Sequence, residues 1–118
     1  MRLAAFLATT LALVSPAFAE GFQRVEGRDR FLSVVQDRDL TRLGIRVKVT
    51  DRGQIVGRAF GQNVTGDWSW KDGYFCRDLY WGGSKLDLGN CQLVEVNGNT
   101  VRFTSDKGTG DYADLRIK

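Results

Sequence analysis

An alternating stretch around the dipeptide Asp72-Gly73 constrains the fold of this chain more than any other feature. Over residues 66–77, apolar and polar side chains alternate up to this dipeptide, and a second alternating run leaves it. The pattern is typical of a β-hairpin with a two-residue type I′ turn. Because each step away from the turn advances both strands by one residue, we predict that Trp68 lies directly opposite Arg77.

The register of this hairpin divides its side chains between two faces of the sheet. The face that we expect to point into the core carries Trp68, Trp70, Phe75, Arg77 and Leu79. Arg77 is the one charged side chain among them. A desolvated guanidinium must be paired, hydrogen-bonded or stacked. We therefore expect Arg77 to lie within reach of Trp68 and of Gln92.

Residues 1–19 have the organisation of a secretory signal peptide. Arg2 precedes an uncharged apolar run, and a cleavage site of the small-x-small type, Ala17-Phe18-Ala19, follows it. A membrane-spanning helix would need about 20 apolar residues, whereas this run is shorter and ends at a proline. We expect cleavage before Glu20, a periplasmic or secreted protein, and no membrane span in the mature chain.

The rest of the 118-residue chain suffices for one domain with one modest core. Residues 20–27 have no clear period and are predicted to be a flexible lead-in. Residues 28–118 are expected to form a single β domain. At the start of this domain, apolar residues at helical spacing over residues 28–35 predict a short amphipathic helix.

Beyond the helix, strict alternation and recurrent turn signals predict short strands. Asn97-Gly98 indicates a second two-residue hairpin loop, in which Val94 pairs with Val101. The segment over residues 82–90 is rich in glycine and asparagine and is expected to be irregular in part. Together these signals predict a small antiparallel β-barrel or closed sandwich of about seven strands, with one short N-terminal helix.

The two cysteines, Cys76 and Cys91, are predicted to form a disulfide bond. An exported chain reaches a compartment that oxidises thiols. Both hairpin registers also place the two sulfurs on the outer side of the sheet. In the chain-entropy model, closing a loop of this length stabilises a small domain by about 3 kcal/mol.

The sequence offers no recognisable catalytic machinery. The chain contains no histidine, which excludes catalytic triads and imidazole ligation of zinc or haem. The cysteines are expected to be paired, and Asp67 and Asp78 fall on the outer face, away from any shared cleft. The 17 basic and 14 acidic residues are interleaved, which argues against a nucleic-acid partner. We predict a non-enzymatic protein with no metal and no cofactor.

The inner face of the predicted barrel is the candidate ligand site. Its candidate ligand-binding residues are Trp68, Trp70, Arg77, Gln92 and Phe103. Apolar surroundings with a few convergent polar groups are typical of small-molecule sites, and an arginine beside aromatic rings suits an anion or a planar molecule. In the alternative, Arg77 and Gln92 satisfy backbone carbonyls or an inward carboxylate within a barrel filled by its own side chains.

Tyr80 and Trp81, which precede the Gly82-Gly83 loop, are candidate partner-binding residues. If both were exposed on this loop, they would favour a protein partner, such as a cell-envelope enzyme that the chain inhibits. A cavity beside Arg77 would favour a small molecule instead. An unknown small molecule and an envelope protein are thus the two expected partners.

The pattern Trp68-x-Trp70-x-Asp72-Gly73-x-x-Cys76-Arg77, followed by Cys91-Gln92, resembles that of small secreted alphaproteobacterial proteins without assigned function. The resemblance implies export and a β-rich fold, and it implies no catalytic or binding residues. A fragment over residues 57–61 is similar to part of the cofactor loop of dihydrodipicolinate reductase. That enzyme's function is not expected, because this chain lacks room for a Rossmann domain and contains no histidine.

Overall fold

A computed structural model describes residues 21–118 of the chain, so the predicted signal peptide over residues 1–19 lies outside the described residues. The strands are β1 (Gln23–Arg24), β2 (Leu40–Arg42), β3 (Ile45–Val49), β4 (Gln54–Ala59), β5 (Gln62–Lys71), β6 (Tyr74–Trp81), β7 (Ser84–Asn97), β8 (Thr100–Thr104) and β9 (Tyr112–Ile117). The helices are α1 (Arg28–Val35) and α2 (Ser105–Gly108), the second being one irregular turn. No helix in the described part of the chain is long and apolar enough to cross a membrane.

Strands β2 to β9 form a closed antiparallel barrel, which confirms the predicted fold class. Each strand pairs with the next along the chain, and β9 pairs back with β2 through Leu40 and Ile117. The ring holds eight strands where the sequence suggested about seven. The additional strand is β2, whose three residues are too few to show an alternating pattern.

The central hairpin has the predicted register. Trp68 pairs with Arg77, and the next ladder joins Cys76 directly to Cys91, which form the expected disulfide. Asp72 and Gly73 both have positive φ, at 54° and 88°. This is the requirement of a type I′ turn, whose twist matches that of the flanking strands.

The predicted loop of the second hairpin was wrong by one residue. Its loop is Gly98-Asn99, so Val96 pairs with Val101. Gly98 has φ of 58°, as the first residue of a type II′ turn requires. Relative to the prediction, each residue of β8 pairs with a residue two positions further along β7. A shift by two positions leaves every side chain on its predicted face, and Val94 and Val101 are fully buried.

The glycine-rich segment after Trp81 is more regular than the sequence indicated. Gly82 and Gly83 have φ of 57° and 85° and form a tight loop, after which β7 continues unbroken for 14 residues. The irregularity is confined to two shifts in the pairing of β7 with β6, one on each side of the pair Leu79–Asp87. Bulges of this kind change which face a side chain occupies.

Helix α1 closes one end of the barrel, and its predicted bounds are confirmed. Phe31 of this helix is fully buried and lies at ring-centroid distances between 5.0 and 6.4 Å from four other aromatic rings. Those rings belong to Trp68, Trp70, Phe75 and Phe103. Burying a phenylalanine stabilises a fold by about 1.5–3 kcal/mol, and the aromatic contacts add to this.

Residues 23–25 are part of the packed structure, which corrects the prediction of a flexible lead-in (residues 20–27) for this part of the segment. β1 pairs with β7, and Val25 is fully buried. The backbone N–H of Val25 donates to the carbonyl of Val94 at 2.9 Å. Two paired residues are too few for an alternating pattern, so the sequence carries little signal for β1.

Candidate ligand-binding cavity

The barrel encloses a cavity of about 230 Å³ on the side away from α1. In an up-and-down barrel successive loops alternate between the two ends. Helix α1 lies at the end that carries the loop at residues 50–53, where Arg28 donates to the carbonyl of Asp51. We call the other end the mouth; it carries the loops at residues 43–44, 60–61, 82–83 and 105–111.

All eight barrel strands contribute to the wall of this cavity. The lining is apolar apart from two arginines and one glutamine, and consists of Leu40, Arg42, Ile45, Val47, Val49, Ile55, Ala59, Val64, Phe75, Arg77, Leu79, Leu86, Gln92, Phe103, Ala113 and Leu115. Phe75 and Phe103, with ring centroids 5.3 Å apart, also contact Phe31 of α1. These two rings therefore form the floor of the cavity, with the aromatic cluster of α1 beneath them.

Arg77 presents a guanidinium to this cavity. Its side chain is only 11% exposed, as its predicted inner-face position requires. Nη1 donates to Oδ2 of Asp87 at 3.0 Å, and this is the one hydrogen bond found for the guanidinium among residues 21–118. A guanidinium carries five N–H donors in a planar fork, so Arg77 keeps donors that a bound acceptor can use.

A chain of hydrogen bonds extends from this ion pair to the loop after β8. Asn90 donates through Nδ2 to Asp87 at 2.9 Å and to Ser105 Oγ at 2.9 Å. Gln92, a buried side chain, donates through Nε2 to the same Ser105 oxygen at 3.3 Å. The backbone N–H of Asp106 donates to Oδ1 of Asn90 at 3.2 Å. The network fixes the loop against β7 and so sets one wall of the mouth.

The carboxylate of Asp87 is held ionised by its neighbours. Its pKa is lowered chiefly by the hydrogen bond from Asn90, and further by the hydrogen bond and the positive charge of Arg77; partial burial opposes these effects. At neutral pH the charge of Arg77 in the cavity wall is therefore compensated by Asp87, and the cation is the more deeply buried partner of the pair.

Three of the five candidate ligand-binding residues meet at the cavity, and two do not. Arg77, Gln92 and Phe103 line it. Trp68 and Trp70 lie on the inner face, as predicted, but at the end occupied by α1, where both pack on Phe31. All five side chains lie on the inner face, as predicted. They differ in their depth along the barrel axis, which places three at the cavity and two beneath α1.

Arg77 lies directly opposite Trp68 in the ladder, as predicted, but no cation–π contact between the two is found among the described residues. The ring of Trp68 is covered by the guanidinium of Arg28, 5.3 Å from its centroid, and its Nε1 donates to the carbonyl of Thr50. The indole nitrogen of Trp70 is buried and has no hydrogen-bond partner among the described residues.

Tyr80 and Trp81 do not form a joint exposed patch. As neighbours in β6 they point to opposite faces, and Tyr80 is half-buried. Trp81 is 38% exposed, and its Nε1 donates to the carbonyl of Ala59 at 2.7 Å. The arrangement that would have favoured a protein partner at these two residues is therefore not present.

Asp87, Asn90 and Ser105 are site residues that sequence reasoning missed. Asp87 and Asn90 lie in the segment that was expected to be partly irregular; Asn90 pairs with Arg77 in the regular register, whereas a bulge decides the face of Asp87. Within residues 21–118 no group of three His, Cys, Asp or Glu side chains is placed to hold a metal ion.

Comparison of the chain with protein-family models, with curated proteins and with solved structures found no match. The resemblance to small secreted alphaproteobacterial proteins stays a prediction. The class that the fold and the cavity define is a small disulfide-bonded β-barrel with an apolar interior open at one end.

Proposed function

We propose that this protein is an exported, periplasmic, non-enzymatic binding protein that holds a small apolar molecule with an anionic group in the barrel cavity. The observation that carries the proposal is the nearly buried guanidinium of Arg77 in the wall of a cavity whose only other polar lining residues are Arg42 and Gln92. Apolar walls supply affinity, and a few placed polar groups orient the ligand. Charge-assisted hydrogen bonds from arginine to carboxylate or phosphate are among the strongest available.

The volume of the cavity limits what it encloses. At about 230 Å³ it is below the roughly 300–1,000 Å³ of sites that hold drug-sized ligands. The ligand is therefore small, or only the end of a longer molecule is enclosed while the rest emerges through the mouth. Either arrangement places the anionic group near Arg77, on the wall next to β7.

The disulfide supports the exported location, because such bonds persist in oxidising compartments. An inhibitor of a cell-envelope enzyme remains the second candidate function. It is less well supported, because Tyr80 and Trp81 face opposite sides of β6. An enzymatic function comes third, since the cavity brings together no nucleophile and no acid pair.

Binding of decanoate, measured by calorimetry, tests the proposal. Decanol, which has the same alkyl chain without the charge, is the matched ligand. We expect Arg77→Met to weaken decanoate binding by about tenfold or more while leaving decanol binding unchanged.

A second variant, Ala113→Leu, tests the cavity itself. Ala113 lines the cavity and pairs with Phe103 on the neighbouring strand. Leucine adds three carbon atoms that fill part of the cavity, so binding of both ligands should weaken. Failure of the folded protein to bind either ligand would contradict the proposal, as would equal binding by all three proteins.

A further inference from the structure

The mouth of the barrel displays large apolar side chains to solvent. Leu43, Phe60 and Leu86 are 93%, 68% and 58% exposed, and Trp81 is 38% exposed. These four residues belong to the tips of the hairpins β2–β3, β4–β5 and β6–β7. Single exposed apolar residues need no explanation, but a cluster at one end of a small protein marks an interaction site.

Direct contacts join the three hairpin tips into one surface. The backbone N–H of Phe60 donates to the carbonyl of Gly44 at 2.9 Å, and the ring of Phe60 lies against Gly44. The N–H of Gly82 donates to Asn63 at 2.8 Å. The indole of Trp81 bonds to the carbonyl at the end of β4. The three tips that carry the apolar side chains are therefore fixed relative to one another.

Phe60 has a backbone conformation that opposes its side chain. Its φ is 49°, in the left-handed region that glycine and asparagine tolerate and that bulky residues rarely adopt. With 68% of its surface exposed, this phenylalanine contributes little to the core. The two-residue turn at Phe60 and Gly61 requires this conformation but does not require a phenylalanine. A residue that opposes its own backbone conformation is a reason to look for a role outside the fold.

The charged residues within these three hairpin tips all have one sign, whereas the fourth loop of the mouth, at residues 105–111, carries both signs in Asp106, Lys107 and Asp111. Each tip carries an exposed basic residue within two positions of its apolar one, and these are Arg42, Arg58 and Lys85. No acidic residue occurs in the tips at residues 42–44, 58–63 and 81–86. Arg58 is held at its tip by a hydrogen bond from Nη1 to Oδ1 of Asn63 at 2.8 Å. The helix and loops at the end closed by α1 carry both signs, with Arg28, Arg30, Arg38, Arg52 and Lys71 beside Asp29, Asp37, Asp39, Asp51 and Asp72.

We propose that the mouth docks on an anionic lipid surface. The apolar tips enter the headgroup region, and the three cations lie against lipid phosphates. Apolar side chains flanked by Lys and Arg are the recurrent chemistry of interfacial binding. A specific protein partner is less suited, because a stable protein interface needs about 800 Å² on each side, whereas the surface formed by the three tips is interrupted by the opening of the barrel. The docking does not depend on the proposed ligand, but it places the cavity next to alkyl chains.

Flotation of the mature protein with lipid vesicles tests this inference. We expect binding to vesicles that contain phosphatidylglycerol, little binding to phosphatidylcholine alone, and loss of binding at high salt. Phe60→Asn should weaken binding by about tenfold or more without lowering the melting temperature, since asparagine suits the left-handed conformation. Leu43→Ser, at the most exposed position, is the second apolar variant. Lys85→Gln should weaken binding by roughly fivefold.

Two matched controls lie away from the mouth. Val56→Ser removes an exposed apolar side chain from the outer wall, and Arg52→Gln removes an exposed cation at the α1 end. Both should bind as the unmodified protein does, and so should the cavity variant Ala113→Leu, which separates docking from ligand binding. The inference is overturned if the protein does not bind anionic vesicles, or if the control variants weaken vesicle binding as much as the tip variants do. It is also overturned if a stable complex with one envelope protein forms through the same tips without lipid.

Discussion

Asp87 lies 3.0 Å from the guanidinium of Arg77 because a bulge in β7 turns it to the inner face. The register shift places Asp87 opposite Leu79, which lines the cavity, so the carboxylate is on the same side as Arg77. Without the shift, the alternation counted from Gln92 would send Asp87 outward. The bulge in β7 therefore provides the carboxylate that balances the charge of Arg77 in the cavity wall.

Replacing Asp87 by alanine should destabilise the fold. The variant leaves the nearly buried guanidinium of Arg77 without its carboxylate and frees the Asn90 amide, and unsatisfied buried groups cost about 1–3 kcal/mol. We expect the lower part of this range, since Asp87 itself is 45% exposed. Urea unfolding measures the loss. Asp39→Ala, which removes the half-buried partner of two exposed cations, Arg46 and Lys48, is the control and should cost less than about 1 kcal/mol, because both cations return to solvent. Equal losses would refute the special role of the cavity pair.

Stability should fall in acid, and Asp87 should account for part of the fall. Its folded pKa is depressed, so its ionised form stabilises the fold above the unfolded pKa of about 3.9. That contribution disappears as the pH drops through the folded pKa. Melting curves of the unmodified protein and of Asp87→Asn should converge as the pH falls below about 3.9. Asp39 and Asp114 also have depressed pKa values, so both proteins keep some acid sensitivity. A constant difference at every pH would contradict the assignment.

The central hairpin could be predicted because two independent signals agree there. An Asp-Gly turn with positive φ at both residues and an unbroken alternation leave one register. The disulfide can then be predicted, because the hairpin registers place Cys76 and Cys91 on the same face of the sheet. The second hairpin was ambiguous, since Asn97-Gly98 and Gly98-Asn99 are both acceptable two-residue loops and give every side chain the same face.

The site was less predictable than the fold for two physical reasons. Alternation reports the face of a strand but not the depth along the barrel, so Trp68 and Trp70 could not be told apart from Phe103. Depth is decided by where α1 docks, a tertiary contact. Bulges also depend on the neighbouring strand, so the inward turn of Asp87 carries no signal in its own sequence. The exposed tips at Leu43 and Phe60 fall in loops, where alternation ends.

Reduction of the disulfide between Cys76 and Cys91 should lower the free energy of unfolding by about 3 kcal/mol and leave the cavity intact. Both sulfurs belong to outer-face residues, on the opposite side of the sheet from Phe75 and Gln92. Urea unfolding with and without dithiothreitol measures the first effect. Decanoate binding under conditions where the reduced protein stays folded measures the second. Free thiols in protein purified from the periplasm would end this prediction.

Arg77→Met separates a structural role of the guanidinium from a binding role. Methionine keeps much of the side-chain volume and removes the charge, and replacing a buried ion-pair partner by an apolar chain avoids its desolvation. The remaining carboxylate of Asp87 is 45% exposed and still accepts a hydrogen bond from Asn90, so we expect the stability to change by less than about 1 kcal/mol. If Arg77 serves an anionic ligand, binding of decanoate is lost at unchanged stability. If it only neutralises Asp87, binding survives.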